Sequence, residues 1–234
     1  MTRTLLGVWA HPDDETFLSS GLMLAARERG DRVVVVTATR GEHGTDDPDR
    51  WPADRLGALR SRELDEALSL LGVAEHRWLG YEDGACPLVP RRTAADRIAA
   101  IVEEVRPDTI VTFADDGVTG HADHRTVGHW ARLAWRAAAP RAELLEAVLA
   151  PGFVRRFADI NEAFGVFMDD PAPEVAPDLH LRLDGEHLER KMAAMRAQDS
   201  QTRRLVEGVG LPTFRRWWGE EAFVRTAPAA VGAA

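Results

Sequence analysis

The 234-residue chain has one cysteine, one lysine and one tyrosine. It contains no apolar run near the ~20 residues that a membrane-spanning helix needs. Cys86 alone forms no internal disulfide, so nothing demands an oxidising compartment. It sits in Asp83-Gly84-Ala85-Cys86-Pro87 without an adjacent base, which argues against a thiol nucleophile. Of the 29 basic residues all but Lys191 are arginine; this reads as compositional bias without mechanistic content. Positive charge is also scarce overall. Against 38 acidic residues it leaves a net charge of −9, which argues against nucleic acid as a partner and leaves a polar, sugar-like ligand open. The N-terminus carries one Arg and then an apolar run leading into acidic residues, unlike a signal peptide, so a cytoplasmic protein is expected. No Gly-x-Gly-x-x-Gly follows that run, where Val8-Trp9-Ala10-His11 stands instead, so a dinucleotide site is disfavoured.

What the chain does have is core material, 45% hydrophobic, in a regular alternation. Residues 4–9 read as a buried strand and 14–29 as a helix ended by Gly30. Val33-Val34-Val35-Val36-Thr37 is β-branched and continuous, as a parallel strand covered on both faces should be. The pattern continues with a helix over 55–71, a short strand over 76–79, a helix over 93–105, a strand over 109–113 and a helix over 121–138. This rhythm predicts an α/β fold, a Rossmann-like doubly wound, mostly parallel sheet with helices on both faces. Beyond residue 140 the pattern weakens. Residues 144–149 and 164–168 read as strands, 185–197 as a helix, and Pro171, Pro173 and Pro177 as an irregular connection. A single domain is expected, with its core over about 4–200 and a loose tail after about 225.

Two clusters stand at predicted strand ends, where ligands bind in such sheets. Ala10-His11-Pro12-Asp13-Asp14-Glu15 follows the first strand, and Gly120-His121-Ala122-Asp123-His124 follows the strand over 109–113. His11 and Asp14 are three apart, neighbours on one face of a first helical turn, as are His121 and His124. His11, Asp14 and His124 would supply two imidazoles and a carboxylate, suited to Zn²⁺ with one position left open, although such ligands also hold Fe²⁺. Proline and acidic residues also make ordinary helix starts; the pairing of the clusters at two strand ends is what favours a site. His43 stands on a loop at the same sheet edge, while His76, His129, His180 and His187 show no partner pattern.

The paired motifs resemble the LmbE-like, or PIG-L, zinc-dependent de-N-acetylases. Supporting similarity lies in Thr39-Arg40-Gly41-Glu42, Arg60-Ser61-Arg62-Glu63, Leu71-Gly72-Val73 and Gly80-Tyr81-Glu82-Asp83-Gly84, spanning residues 4–130, with a weaker echo over 191–201. The resemblance implies that His11, Asp14 and His124 bind zinc and that Asp13 is the general base toward the attacking water. It implies that His121 stabilises the oxyanion or protonates the departing amine, oriented by Asp123. It places Arg60 and Asp83 on the sugar hydroxyls, with Glu42 on the same substrate side. Glu15 is left to start the helix.

The implied reaction is metal-dependent hydrolysis of an N-acetyl group on an N-acetylglucosamine-type sugar or glycoconjugate. Departures bear on the substrate. Thr119 stands where many relatives carry an aromatic residue, Ala122 replaces a proline, and Gln198 stands where His is common. Other readings are a zinc amidase acting on a larger acyl or thiol-conjugate amide, a non-catalytic sugar- or nucleotide-binding module, and a structural metal site. The last would favour Cys ligands, which are missing there. The oligomeric state is not set by the sequence, and a homo-oligomer stays open.

Overall fold

The continuous apolar runs become neighbouring strands. In a computed structural model describing residues 2–168 and 173–226, Thr4–Trp9 (β1) leads into Asp14–Glu28 (α1), and Arg32–Thr37 (β2) into Ala53–Leu70 (α2). Glu75–Trp78 (β3), Arg91–Val105 (α3), Thr109–Phe113 (β4), Ala122–Ala138 (α4) and Glu143–Ala147 (β5) complete the regular part. These five strands are parallel, and the middle ones are buried on both faces. That burial is why their sequences do not alternate. Helices α3 and α4 pack together, and α4 lies on β1 and β4.

The remaining chain closes the sheet differently. Phe153–Arg156 (α5) and Ala158–Phe164 (α6) precede Leu179–Arg182 (β6), followed by Gly185–Ala197 (α7), Asp199–Val209 (α8), Leu211–Trp217 (α9) and Glu220–Thr226 (β7). Helix α7 packs against α1 and α2. Strand β7 pairs antiparallel with β5, and β6 antiparallel with β7, giving the order β3-β2-β1-β4-β5-β7-β6. The sheet therefore runs past residue 200 and includes Arg225. The loose tail expected after about 225 falls mainly on 227–234, outside the described residues, as does Pro171.

The expected strand over 164–168 is not one. Phe164 closes α6, Gly165 caps it in the left-handed region, and the next residues run as a loop. Phe167 N–H donates to Asn161 Oδ1, and Met168 N–H to Thr119 O. Apolar residues there cover the interior and the site without pairing in the sheet. Successive connections run from β1 to β2 on one side, then to β4 on the other. The ends of β1 and β4 therefore diverge at a switch point, where loops leave a crevice. Among the described residues no helix is long and apolar enough to cross a membrane.

Candidate metal centre and active site

Strand β1 ends at the buried Trp9, and the chain turns through Ala10, His11 and Pro12 into α1. Asp14 locks that turn: its Oδ2 accepts the N–H groups of Ala10 at 3.1 Å and His11 at 2.7 Å. Asp13, at the N-cap position, has φ 118° and ψ −32°. That region costs a non-glycine residue about 1–3 kcal/mol and survives only where the surroundings over-determine it. Its carboxylate makes no capping bond and meets Arg60 Nη2 at 3.0 Å.

The second motif starts α4 at the end of β4. His11 Nδ1 lies 3.0 Å from His124 Nε2, Asp14 Oδ1 lies 3.2 Å from the same His124 nitrogen, and Asp14 Oδ2 lies 3.7 Å from His11 Nδ1. Tetrahedral donors about 2.0–2.2 Å from one centre stand roughly 3.3–3.6 Å apart, and these separations of 3.0, 3.2 and 3.7 Å bracket that range to within a few tenths of an ångström. The far ring nitrogens set the tautomers. His11 Nε2–H points at Asp83 Oδ1 (3.0 Å) and Asp123 Oδ2 (3.3 Å), and His124 Nδ1–H at Gly117 O (3.0 Å), with Thr119 Oγ1 at 3.1 Å. The two near nitrogens therefore need a positive charge between them, a proton on His11 Nδ1 or a shared cation, and an acceptor behind each ring is the arrangement that metal-binding histidines adopt. The His121 ring is close behind, 4.8 Å from His11 and 5.1 Å from His124 between centroids.

The electrostatics show the same demand for positive charge. Burial opposes a charged His11, but the Asp123, Asp83 and Asp14 carboxylates outweigh it and push the imidazole up to about 10. Burial raises Asp13 to about 7 against the pull of Arg60, and raises Asp14 as well. His124 and His121 are lowered, first by burial and then by the neighbouring His11. Burial also works against an ionised Asp83, yet the His11 hydrogen bond holds its carboxyl far below the usual range.

These groups form the polar end of a cavity of ≈ 320 Å³ that His11, Asp13, Asp14, Arg60, Asp83, His121 and His124 all line. Its remaining wall is mostly apolar, with Phe17 and Leu18 from α1, Val166 and Met168 from the loop after α6, Leu205 from α8, and Trp218. The model of the PIG-L family, GlcNAc-PI de-N-acetylase, matches residues 6–135, which is more than half of the chain and includes both motifs. The chain belongs to the GlcNAc-PI de-N-acetylase family.

Within this family, it is 34% identical over 237 residues to the 1D-myo-inositol 2-acetamido-2-deoxy-alpha-D-glucopyranoside deacetylase of Acidothermus cellulolyticus, covering 86% of this chain and 80% of that one. Identity to the corresponding deacetylase 1 of Saccharopolyspora erythraea is 35% over 251 residues, covering 90% and 82%. Among solved structures, the N,N'-diacetylchitobiose deacetylase of Pyrococcus horikoshii superposes with a TM-score of 0.69 at 23% identity, covering 97% of this chain and 84% of that one, and shows the shared fold.

Three features of this PIG-L site depart from the sequence-based picture. Asp123 was expected to orient His121, but its carboxylate is spent on His11 Nε2 and on the N–H groups of Gly84 (2.8 Å) and Cys86 (3.2 Å). His121 instead accepts the Asp123 backbone N–H on Nδ1 at 3.1 Å, capping α4 and leaving Nε2 to carry the proton. Glu42 does not border the cavity; it accepts N–H groups from Arg40 and Asp83 and braces the Asp83 loop from behind. Glu15 does more than start the helix. It is fully buried, accepts the Asp13 N–H at 3.1 Å and the Gln198 amide at 2.7 Å, and burial pushes it up to about 8. A signal was available: Glu15 shares a face with buried Ser19 and Met23 at i, i+4 and i+8. His43 is exposed, near Glu82, and does not line the cavity.

Proposed function

We propose that His11, Asp14 and His124 hold one divalent ion, zinc in the leading reading and Fe²⁺ as the alternative. The site then hydrolyses an N-acetyl group on an N-acetylglucosamine-type sugar or glycoconjugate. The observation that supports this most is the approach of His11 Nδ1 to 3.0 Å from His124 Nε2 beside Asp14, with an acceptor behind the far nitrogen of each ring. When bound, such an ion supplies Lewis-acid activation of water and of the amide carbonyl. Asp13, in the cavity beside Arg60, receives the proton of the attacking water. His121 offers its Nε2 proton to the developing oxyanion or the departing amine. Asp83 borders the cavity as a sugar-facing acceptor, and the relatives' deacetylase names support an amino-sugar substrate. The single seven-stranded sheet supports one catalytic domain, and a reduced, buried Cys86 suits the cytoplasm.

The apolar wall formed by Phe17, Leu18, Val166, Met168, Leu205 and Trp218 favours a second reading, an amidase for a larger acyl or thiol-conjugate amide. Acetate release from N-acetylated amino sugars, compared with hydrolysis of longer N-acyl analogues, separates the two. Metal analysis should find about one divalent ion per chain. Asp13→Ala should keep that ion and lose hydrolysis. Unchanged hydrolysis in Asp13→Ala, or full metal content in His11→Ala/His124→Ala, would sink the proposal.

A further inference from the structure

Glu15 and Gln198 are buried polar residues that the proposed reaction does not use. Glu15 Oε2 accepts the Asp13 N–H at 3.1 Å, reaching back from the first turn of α1 to the N-cap position as a capping glutamate does. Its Oε1 accepts Gln198 Nε2–H at 2.7 Å, and among the described residues no cation pairs with it. On the other side of the same amide, Gln198 Oε1 accepts the Thr16 hydroxyl at 2.5 Å, and that hydroxyl oxygen also lies 2.8 Å from Asp13 O. One side chain therefore spans Glu15 and Thr16, the two residues that meet the peptide groups on either side of Asp13.

Gln198 comes from the other end of the chain, where it is the single residue between α7 and α8. Its N–H donates to Met195 O at 3.2 Å, and its C=O accepts the N–H groups of Gln201 at 3.0 Å and Thr202 at 3.1 Å. Both helices thus end on it. Helix α7 packs against α1 and α2, and α8 brings Gln201 and Leu205 to the cavity wall. A backbone fixed by two packed helices gives the amide a rigid origin. Asp13 needs such outside support, because at φ 118° an L-residue is strained and holds its conformation only where the surroundings over-determine it.

We propose that Gln198 is a positioning residue: its amide holds Glu15 and Thr16 against the peptide groups of Asp13 and keeps the Asp13 carboxylate aimed into the cavity. This rests on the reading of Asp13 as the base. The role needs a donor and an acceptor on one planar group, the donor facing the Glu15 carboxyl and the acceptor the Thr16 hydroxyl. A neutral imidazole carries one of each on its two ring nitrogens, whereas a methionine of similar length offers no donor.

The experiment is steady-state kinetics of the metal-loaded chain on N-acetylglucosamine, with Gln198→Met, Gln198→His, Asp13→Asn and the combined Gln198→Met/Asp13→Asn. Misplacing a catalytic group by about 1 Å costs roughly a hundredfold, so a partial displacement in Gln198→Met should lower kcat by at least about tenfold, with KM within about threefold and the metal retained. Gln198→His should recover part of that loss. In the Asp13→Asn background Gln198→Met should cost no further kcat, because an effect carried by one carboxylate vanishes with it. A crystal structure of Gln198→Met should show Asp13 out of its φ 118° conformation. Thr16→Val frees the amide on its other side and should give a smaller loss of the same kind; it is the test should Gln198→Met fail to fold. A lower melting temperature with unchanged kcat would make Gln198 a structural residue and overturn the proposal. So would an unmoved Asp13, or an equal fractional loss in both backgrounds. Full activity in Asp13→Asn would instead strike at the assignment of the base.

Discussion

The chemistry of this site is decided by which nitrogen of each imidazole keeps its proton. His11 is a donor at Nε2 because Asp123 and Asp83 lie there, and that leaves Nδ1 for a cation. Asp123 is fully buried and also holds two loop N–H groups, so it fixes the ring and the Gly84–Cys86 turn together. Asp123→Asn should therefore weaken metal binding by about 10- to 100-fold, the usual effect of removing a carboxylate behind a metal-binding histidine. Competition with a metal-chelating dye measures it; an unchanged dissociation constant would show that His11 needs no such support. The sequence shows that Asp123 belongs to the motif, but not which of two nearby histidines it serves. Its place two positions from His121 suggested the wrong one, because the chain brings His11 to it from 112 positions away.

At the level of elements, the lone lysine gains a role that composition concealed. Lys191 of α7 is fully buried and donates to Phe17 O at 2.7 Å and to Glu221 Oε1 at 2.8 Å. Glu221 of β7 accepts the Gly21 and Leu22 N–H groups of α1 at 2.8 and 3.1 Å. One ion pair therefore ties α1, which begins at the metal motif, to a helix and an antiparallel strand from the end of the chain. Lys191→Met should destabilise the fold by about 3–5 kcal/mol, because it strands a buried carboxylate. Lys191→Met/Glu221→Gln should recover part of that loss. Chemical denaturation of the two variants is the measurement, and equal losses would contradict this account. The parallel helices and strands were legible because each has its own apolar period and turn signals. Strands β6 and β7 were not, since short edge and antiparallel strands in polar sequence carry little local pattern.

For the molecule as a whole, the far edge of the sheet carries a pH-sensitive group remote from the site. His76 on β3 contacts Thr37 Oγ1 at 3.0 Å; burial, then the charges of Arg40 and Arg77, lower it to about 4. The unfolded chain takes up this proton near pH 6.5 and the folded protein only near 4, so stability from a neutral His76 is complete above about 6.5 and is lost as pH falls toward 4. The ceiling of this contribution is about 3 kcal/mol. Urea unfolding of His76→Gln across that window should give a flatter dependence on pH than the parent chain; parallel curves would assign the acid loss to other groups.

From the sequence alone follow the α/β alternation, the two strand-end motifs and the family they mark, because these depend on short-range periodicity and on residues within a few positions of one another. The tertiary structure alone decides that β1 and β4 part at the switch point and bring the motifs together. It also decides that Asp123 faces His11, that Arg60 lies beside Asp13, and that residues from four separate segments make an apolar wall. Each of these is a contact between distant parts of the chain, chosen by which groups burial leaves needing a partner, and no local pattern records that choice.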